Sequence, residues 1–426
     1  AGRAICGEEH LCRAPQERIY HKGRWYEGLY LRAGASAEDL RQLQRFHEEI
    51  GTWVRRRDAQ GRRTFSVPGT RGRWRAAGAA ELDGLSMADY LDRRGFTSPR
   101  LRWQVDYGCR DDFGVTLAQA SAYAGVHYYA ARLLHPDDAP PQVLTWPEGN
   151  ARLVAGLLTR VGAERVHTRC LVTDVRPLPG EEGVEVFYRA PLRSGADTVR
   201  GRLTARAAIF ALPSFLRRHL IAPLRAAPPP WLQRYTYAPW LVANLTLRRA
   251  PPPPIAPAPG EKSGFPLCWD NVLYESPSLG YVVATHQSEP PPSPDGLPRT
   301  VWTYYLPLCG TEPQRERARL LGASHTELCT KILADLRRAE PELPDQVERI
   351  DLVRWGHGMI RPVPGLFTSG ALEQAAAPLG PIHFAHTDLG GMALFEEAHH
   401  SGVIAAEAVM ARLGHRFESL LPPAAP

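Results

Sequence analysis

The sequence predicts an α/β protein, and three observations predict it. A short apolar strand, "IHFA" at residues 382–385, passes through a Gly-Gly loop into a helix with small residues along one side. That is how a parallel sheet presents a helix N-terminus. Alternating apolar and polar residues recur through the middle of the chain, as in "GVEVFYR" and "TVWTYYLPL", which is the period of a half-buried strand. The opening third, to about residue 140, instead carries apolar residues at helical spacing.

The first helix is "SAEDLRQLQRFHEEIGTWVRRR", with Ser36 and Asp39 as a capping pair and Leu40, Leu43, Phe46, Ile50 and Trp53 on one face. "SMADYLDRRGF" repeats the device with Ser86 and Asp89, and Gly95 stops it. Helical runs continue through "LAQASAYAGVHYYAARLL". Further on, a helix bearing Leu153, Val154, Leu157, Leu158 and Val161 leads into a strand, a Pro-Gly turn and an alternating strand with Val184, Val186 and Tyr188. "LTARAAIFALPSF" reads as another buried strand ending in Ala-Leu-Pro, and "WLVANLTL", "GYVVATHQ" and "TVWTYYLPL" read as strands. The proline tracts "APPPPIAPAPG" and "EPPPSPDGLP" separate them as extended surface segments. "HTELCTKILADLRRAEPEL" reads as a helix before "LVRWGHGMIRPVPG" and the closing strand–loop–helix. No internal repeat is visible.

At 426 residues the chain has room for two or three domains. No apolar run approaches the roughly 20 residues of a membrane helix. The start, "AGRAICGEEHLCRAPQ", has neither a basic-then-apolar leader nor a Met, so the expectation is no signal peptide and a missing true N-terminus. The net charge of +6 raises nucleic acid as a partner, but only three of the 51 basic residues are lysine and the arginines are scattered beside acids. A solvated surface is the reading, not a binding stripe. Seven cysteines without C-x-x-C spacing read as reduced thiols, which points towards a cytoplasmic setting.

Several catalytic patterns are absent. There is no G-x-S-x-G elbow. His383, His386, His399 and His400 crowd the last motif, but H-x-x-H followed after twelve residues by H-H matches no zinc pattern, so no metal is expected. No G-x-G-x-x-G phosphate loop occurs either; "GHGMIR" at 356–361 has Arg361 where the third glycine belongs. His357, between two glycines after Trp355, is the histidine best placed to face a substrate, with a structural role as the alternative.

Three segments, in order, resemble the flavin-containing amine oxidase superfamily. "RVHTRCLVTDVRPL" through "LTARAAIFALP" is similar to its strand–turn–strand insertion, and "LVRWGHGMIRPVPG" to its Trp-containing approach to the flavin. The third is the closing motif. Family strands end in Phe-Ala-Gly-Thr-Glu where this chain has Phe384, Ala385, His386, Thr387 and Asp388. A Met-Glu-Gly-Ala run then opens the family helix, where this chain has Phe395, Glu396, Glu397 and Ala398, with Gly402 four residues on. The resemblance covers roughly residues 142–410 and implies FAD as cofactor. It implies that Thr387 and Asp388 lie near the ribityl–pyrophosphate region, Phe395 and Glu396 at the flavin edge through their backbone, Val172 at the adenine, and Trp355 on the approach to the flavin. For Glu396 and Glu397 the plain alternative is acids complementing a helix dipole.

The implied architecture is a Rossmann-like FAD-binding domain (142–224 and 365–415) interleaved with a substrate domain. The latter has a helical part at 1–141 and a mixed sheet with helices at 225–364, and 416–426 is a tail. The implied function is an FAD-dependent oxidoreductase that moves hydride from a small-molecule substrate to flavin N5, with the electron acceptor open. The family's phosphate loop lies in a βαβ unit that this chain lacks, so the alternative is a truncated or non-catalytic chain that does not bind FAD by itself. Amine oxidases of the family place a lysine near flavin N5. The matching place here is Ala243 or Asn244, and Leu394 stands where they have a cage aromatic. Leucine cannot stabilise a cation as a ring does, so the expectation is a less basic substrate met by His357 and the Tyr304–Tyr305 pair.

Overall fold

The computed structural model describes residues 10–58, 61–67, 78–133, 143–191, 198–249, 264–288 and 299–421. The two proline tracts fall outside them. Twelve strands run in chain order: β1 (Glu17–His21), β2 (Arg24–Glu27), β3 (Leu171–Pro177), β4 (Val184–Pro191), β5 (Thr198–Ala205), β6 (Ala208–Phe210), β7 (Tyr237–Leu247), β8 (Asp270–Leu273), β9 (Tyr281–Val283), β10 (Thr300–Pro307), β11 (Val347–Ile360) and β12 (Ile382–Phe384). They make a seven-stranded sheet in the order β11-β7-β10-β9-β8-β1-β2, a three-stranded sheet β3-β4-β5, and the pair β12-β6. The large sheet is mixed, because β1 pairs parallel with β8 while its other pairings are antiparallel.

The expected capping boxes form at both N-termini. Ser36 and Asp39 open the helix Ala37–Arg55, and Ser86 and Asp89 open Met87–Arg93, each pair exchanging side-chain and backbone hydrogen bonds. Leu43, Phe46, Ile50 and Trp53 are buried, but Leu40 is 40% exposed, at the rim of the stripe. The opening third is not only helical. "ERIYH" and "RWYE" form the hairpin β1–β2, turned by Lys22 and Gly23 at φ 46° and 82°. The third helical run also shortens, to Ala122–Ala130. "LTARAAIF" is not one buried strand: β5 ends at Ala205 in the antiparallel sheet, and β6 restarts at Ala208 in the parallel pair.

The apolar helix of the middle region forms as Ala151–Val161, yet none of its residues is buried. Val154 is 55% exposed and Val161 50%.

Two faces of the seven-stranded sheet differ. On one, Leu241, Ala243, Leu245, Trp302, Tyr304 and Leu306 pack with Leu320, Leu328, Ile332 and Leu336 from the helices Pro313–Gly322 and His325–Leu336. On the other, no helix among the described residues joins the core cluster along the middle of the sheet. Only its end is covered, where Tyr107 of the helix Pro99–Phe113 packs with Trp240, Val272 and the partly buried Tyr305. The largest core cluster joins the first-third helices to β6, β12 and the 366–392 segment.

β12 pairs parallel with β6, as expected. The closing helix Phe395–Arg412 runs back along it: Arg412 reaches the carbonyl of Gly380 before the strand, while Ser401 Oγ donates to the carbonyl of His386 after it, at 3.1 Å. The helix N-terminus therefore projects beyond the C-terminal end of the strand pair, where open α/β sheets hold ligands.

Asp388 fixes that end. It is 1% exposed; Oδ2 accepts from Ser214 N–H at 2.7 Å and from Tyr237 O–H at 2.6 Å, and His386 Nδ1 lies 3.2 Å from Oδ1. Burial alone would push the carboxyl pKa up, but His386 and the two donors outweigh it and hold it below the usual range. An unfolded aspartate titrates at about 3.9, so this stabilisation is present above that pH and is lost as the pH falls through the lower folded value. Asp388→Ala is expected to destabilise the fold by about 2–4 kcal/mol in urea titrations at pH 7. The gap between variant and wild type should narrow below about pH 4. A gap independent of pH would assign the loss to packing rather than to the carboxylate.

Candidate active site

β11 carries the Trp-Gly-His-Gly stretch expected near a cofactor. Its pairing with β7 breaks between Trp355, opposite Trp240, and Met359, opposite Ala238, so Gly356, His357 and Gly358 form a bulge. At Gly358 a Cβ would come within 2.6 Å of Trp240 Cδ1, and only glycine lets the bulge lie flat on that indole. Gly114, in the left-handed region at φ 63°, also crowds the indole, where a Cβ would sit 2.8 Å from Trp240 Nε1. Trp240 is thus wedged between two backbones, and its Nε1 is buried with no hydrogen-bond partner.

Trp240, Val242, Val282, Thr303, Tyr305, Trp355, Gly358 and Met359 line a cavity of about 660 Å³ on the bare sheet face. Its walls are mostly apolar and aromatic, with Thr303 and Tyr305 as polar points, which is the composition of a small-molecule site. Trp355 is 54% exposed and forms its rim. Ala243 points away into the helix-covered core, whereas Asn244 lies on the cavity face, where it accepts from Thr303 Oγ1 at 2.8 Å. Of the tyrosine pair, only Tyr305 reaches the cavity. Tyr304 is 1% exposed on the opposite face and donates to Asp335 at 3.1 Å, because neighbours on a strand point to opposite sides.

His357 turns away from the cavity. Its ring stacks on Phe215 at 3.9 Å between centroids and meets Tyr237 edge-on at 5.6 Å. Desolvation, with Arg317 and Arg218 nearby, brings its pKa down to about 4, so it is neutral at pH 7. Through Tyr237 this histidine adjoins Asp388, which links β11 to the closing loop. Thr387 braces the same loop: its Oγ1 bonds the carbonyls of Met392 and Leu394 and accepts from Leu394 N–H. Neither Thr387 nor Asp388 therefore presents a free side chain to a ligand.

The closing helix does present one end. Leu394 at its N-cap offers no side-chain acceptor, so the first-turn N–H groups keep their donor capacity. Phe395 is half-buried and Glu396 exposed. A Cβ added at Gly402 would meet nothing within 4 Å, while Ala405, one turn on, is buried. These features fit the edge of a flat, anion-bearing group such as a reduced flavin. Val172 lies apart, on β3 opposite Tyr188, in the three-stranded sheet. His383 is buried on β12, and among the described residues no three His, Cys, Asp or Glu side chains gather as a metal site.

Sequence reasoning missed the polar end of the bare face. Asp270 Oδ2 accepts from Tyr107 O–H at 3.1 Å and Oδ1 from Tyr305 O–H at 3.0 Å. Burial pushes the pKa of Asp270 up to about 7 despite both donors, with Glu17 adding like charge. A lone acid in the apolar run "LCWDNVL" was the available signal.

A family model described as flavin containing amine oxidoreductase matches residues 14–410. No curated protein sequence matches. Among solved structures, cyclohexylamine oxidase from Brevibacterium oxydans IH-35A is similar, with TM-score 0.60 and 15% identity over 95% of this chain and 82% of that one. Putrescine oxidase, in its wild-type form bound to putrescine, is similar with TM-score 0.63 and 15% identity over 94% of this chain and 82% of that one. At such identity these likenesses speak to the fold, which is that of the Rossmann-like flavoproteins. No helix of the described residues is long and apolar enough to cross a membrane. With the family model spanning nearly the whole chain, the protein belongs to the flavin-containing amine oxidoreductases and is an FAD-dependent oxidoreductase.

Proposed function

We propose that this enzyme oxidises a small molecule lying on the bare face of the seven-stranded sheet, with hydride leaving a substrate C–H bond. The cavity of about 660 Å³ carries this reading, because it joins an apolar floor to the Trp355 rim. FAD, when bound, supplies the hydride acceptor at N5 and passes the electrons on to a second acceptor. The chain's own part is to bind and orient the substrate and to exclude water. Val242, Met359 and the two tryptophans provide apolar walls, and Thr303 with its partner Asn244 offers a polar contact. Phe395 and Glu396 would meet the flavin edge through their backbone, and Val172 the adenine. By the resemblance, Leu394 and the uncharged Ala243 or Asn244 stand where amine oxidases of the family have a cage aromatic and a lysine. A reacting carbon that is not itself read as a cation fits this face.

Anaerobic mixing of the FAD-loaded protein with a panel of alcohols, alkenes and monoamines tests the reading through bleaching of flavin absorbance. Bleaching by compounds with an apolar reacting end is expected. Efficient bleaching by simple alkyl monoamines would overturn that part of it. Gly358→Ala should push the Trp240 indole into the cavity and lower kcat/KM, referred to flavin content, by about ten- to a hundredfold. His357 is expected to add no inflection between pH 5 and 8 to the kcat/KM profile, since its pKa is about 4. An inflection that disappears in His357→Gln would instead make it an acid–base group. These 426 residues hold no G-x-G-x-x-G loop, so within them the pyrophosphate would not meet the usual N–H cradle. A flavin-fluorescence titration of the 426-residue chain should accordingly show weak binding, and tight stoichiometric binding would mean that other donors serve.

A further inference from the structure

Among the described residues, Arg18, Arg110, Arg217 and Arg361 are buried arginines. Three of them have partners: Arg18 bonds Glu340 at 2.8 Å, Arg110 bonds Asp106 at 2.8 Å, and Arg217 donates to the carbonyl of Ala375. Arg361 is 6% exposed, and its guanidinium makes no hydrogen bond or ion pair with the described residues. Burial lowers its pKa, as it does for a cation without a counter-ion. The one group acting the other way is the thiol of Cys309, which burial pushes up to about 12, so it carries no charge at pH 7. The two acids near that thiol, Asp106 and Glu316, are bonded to Arg110 and Arg319.

Strand pairing fixes where Arg361 stands. Met359 lies opposite Ala238 and Ile360 opposite Tyr237, and Arg361 N–H bonds the carbonyl of Thr236 at 2.9 Å, which continues the ladder. Side chains alternate along a strand, and opposite residues share a face. Arg361 and Thr236 therefore stand on the face of Met359, Ala238 and Trp240, and Met359 and Trp240 line the cavity. Two residues along a strand are about 7 Å, so Arg361 lies just past the Met359 wall.

The other unmet groups at this end can also donate. Thr236 Oγ1 and Trp240 Nε1 are both buried without a partner. What this end of the face lacks is an acceptor, and next to Arg361 a negative one. An unpaired buried charge is costly. A carboxylate matches the planar fork of a guanidinium with two parallel hydrogen bonds.

We propose that Arg361, with Thr236 beside it, is a specificity-determining subsite for a carboxylate on the substrate, whose apolar body lies in the cavity against Trp240, Trp355 and Met359. The proposal rests on the function given above and refines it: the substrate is an organic acid with an apolar reacting part. Arg361 binds and orients that acid and takes no part in the hydride step. Phosphate fits less well, because one guanidinium and one hydroxyl leave most of its oxygens unmet.

The test is binding to the 426-residue protein with FAD in excess, followed by calorimetry at pH 7.5, and needs no turnover. 3-Phenylpropanoate is compared with the neutral 3-phenylpropanamide of the same shape, and acetate serves as the anion without an apolar body. The acid is expected to bind about tenfold or more tightly than the amide, and more tightly than acetate. Arg361→Met should bring the acid-to-amide ratio close to one, Arg361→Lys should keep part of it, and Thr236→Val should lower it about threefold. Since methionine removes a buried charge that nothing in the fold compensates, Arg361→Met should melt no lower than the wild type. A guanidinium that serves the fold would give the opposite result. Equal binding of acid and amide, acetate binding as tightly as 3-phenylpropanoate, a ratio unchanged in Arg361→Met, or a lowered melting temperature of that variant would each overturn the proposal. Flavin bleaching is scored separately: a carboxylate preference without bleaching by any acid would count against the proposed oxidation alone, and bleaching without the preference against this subsite alone.

Discussion

The Asp388 carboxylate holds three parts of the chain in one place. Its bond to Ser214 N–H fixes the turn after β6, its bond to Tyr237 O–H fixes the first residue of β7, and its backbone belongs to the loop after β12. The short parallel pair and the large mixed sheet are otherwise joined mainly by nondirectional packing. A buried anion with directed donors sets their relative position more tightly than apolar contact can, since leaving any of its partners unmet carries a desolvation penalty. Where β7 begins determines where Trp240 sits, and so where the cavity floor starts.

A second constraint acts on Trp240 itself. Gly114 and Gly358 approach it from two elements remote in sequence, and neither position has room for a side chain. The indole serves as a spacer between the helix Pro99–Phe113 and the bulge of β11. It converts backbone geometry into the position of the cavity floor. The polar end around Asp270, by contrast, depends first on strand register: a slip of one residue would turn Asp270 into the core and Asn271 onto the face. Asn271 is held against such a slip, because its side chain is fully buried and bonds Arg18 and the backbone of Cys268.

Local signals in the sequence translated well into structure where the determinant was itself local. Ser36 with Asp39 and Ser86 with Asp89 announce helix starts because the capping bonds close within four residues. The closing strand, loop and helix were legible for the same reason. The hairpin β1–β2 escaped because two short strands with charged residues interleaved read weakly until β8 pairs with β1. Tyr304 and Tyr305 looked alike in sequence, and only the alternation of a placed strand separated them. His357 was drawn towards a substrate by its glycine neighbours, yet the bulge those glycines permit turns its ring onto Phe215. Asp270 showed only as a lone acid in an apolar run, because its partners, Tyr107 and Tyr305, lie far from it along the chain.

The helix Ala151–Val161 has a consequence of a different kind. Eleven residues are too few to stay helical in water by propensity alone, and none of these is buried, so little tertiary packing holds the segment. Its apolar stripe is also a sticky surface. The same amphipathic pattern that made this helix easy to read gives it a double character: it is poorly anchored in this fold and readily sequestered by any apolar surface offered to it.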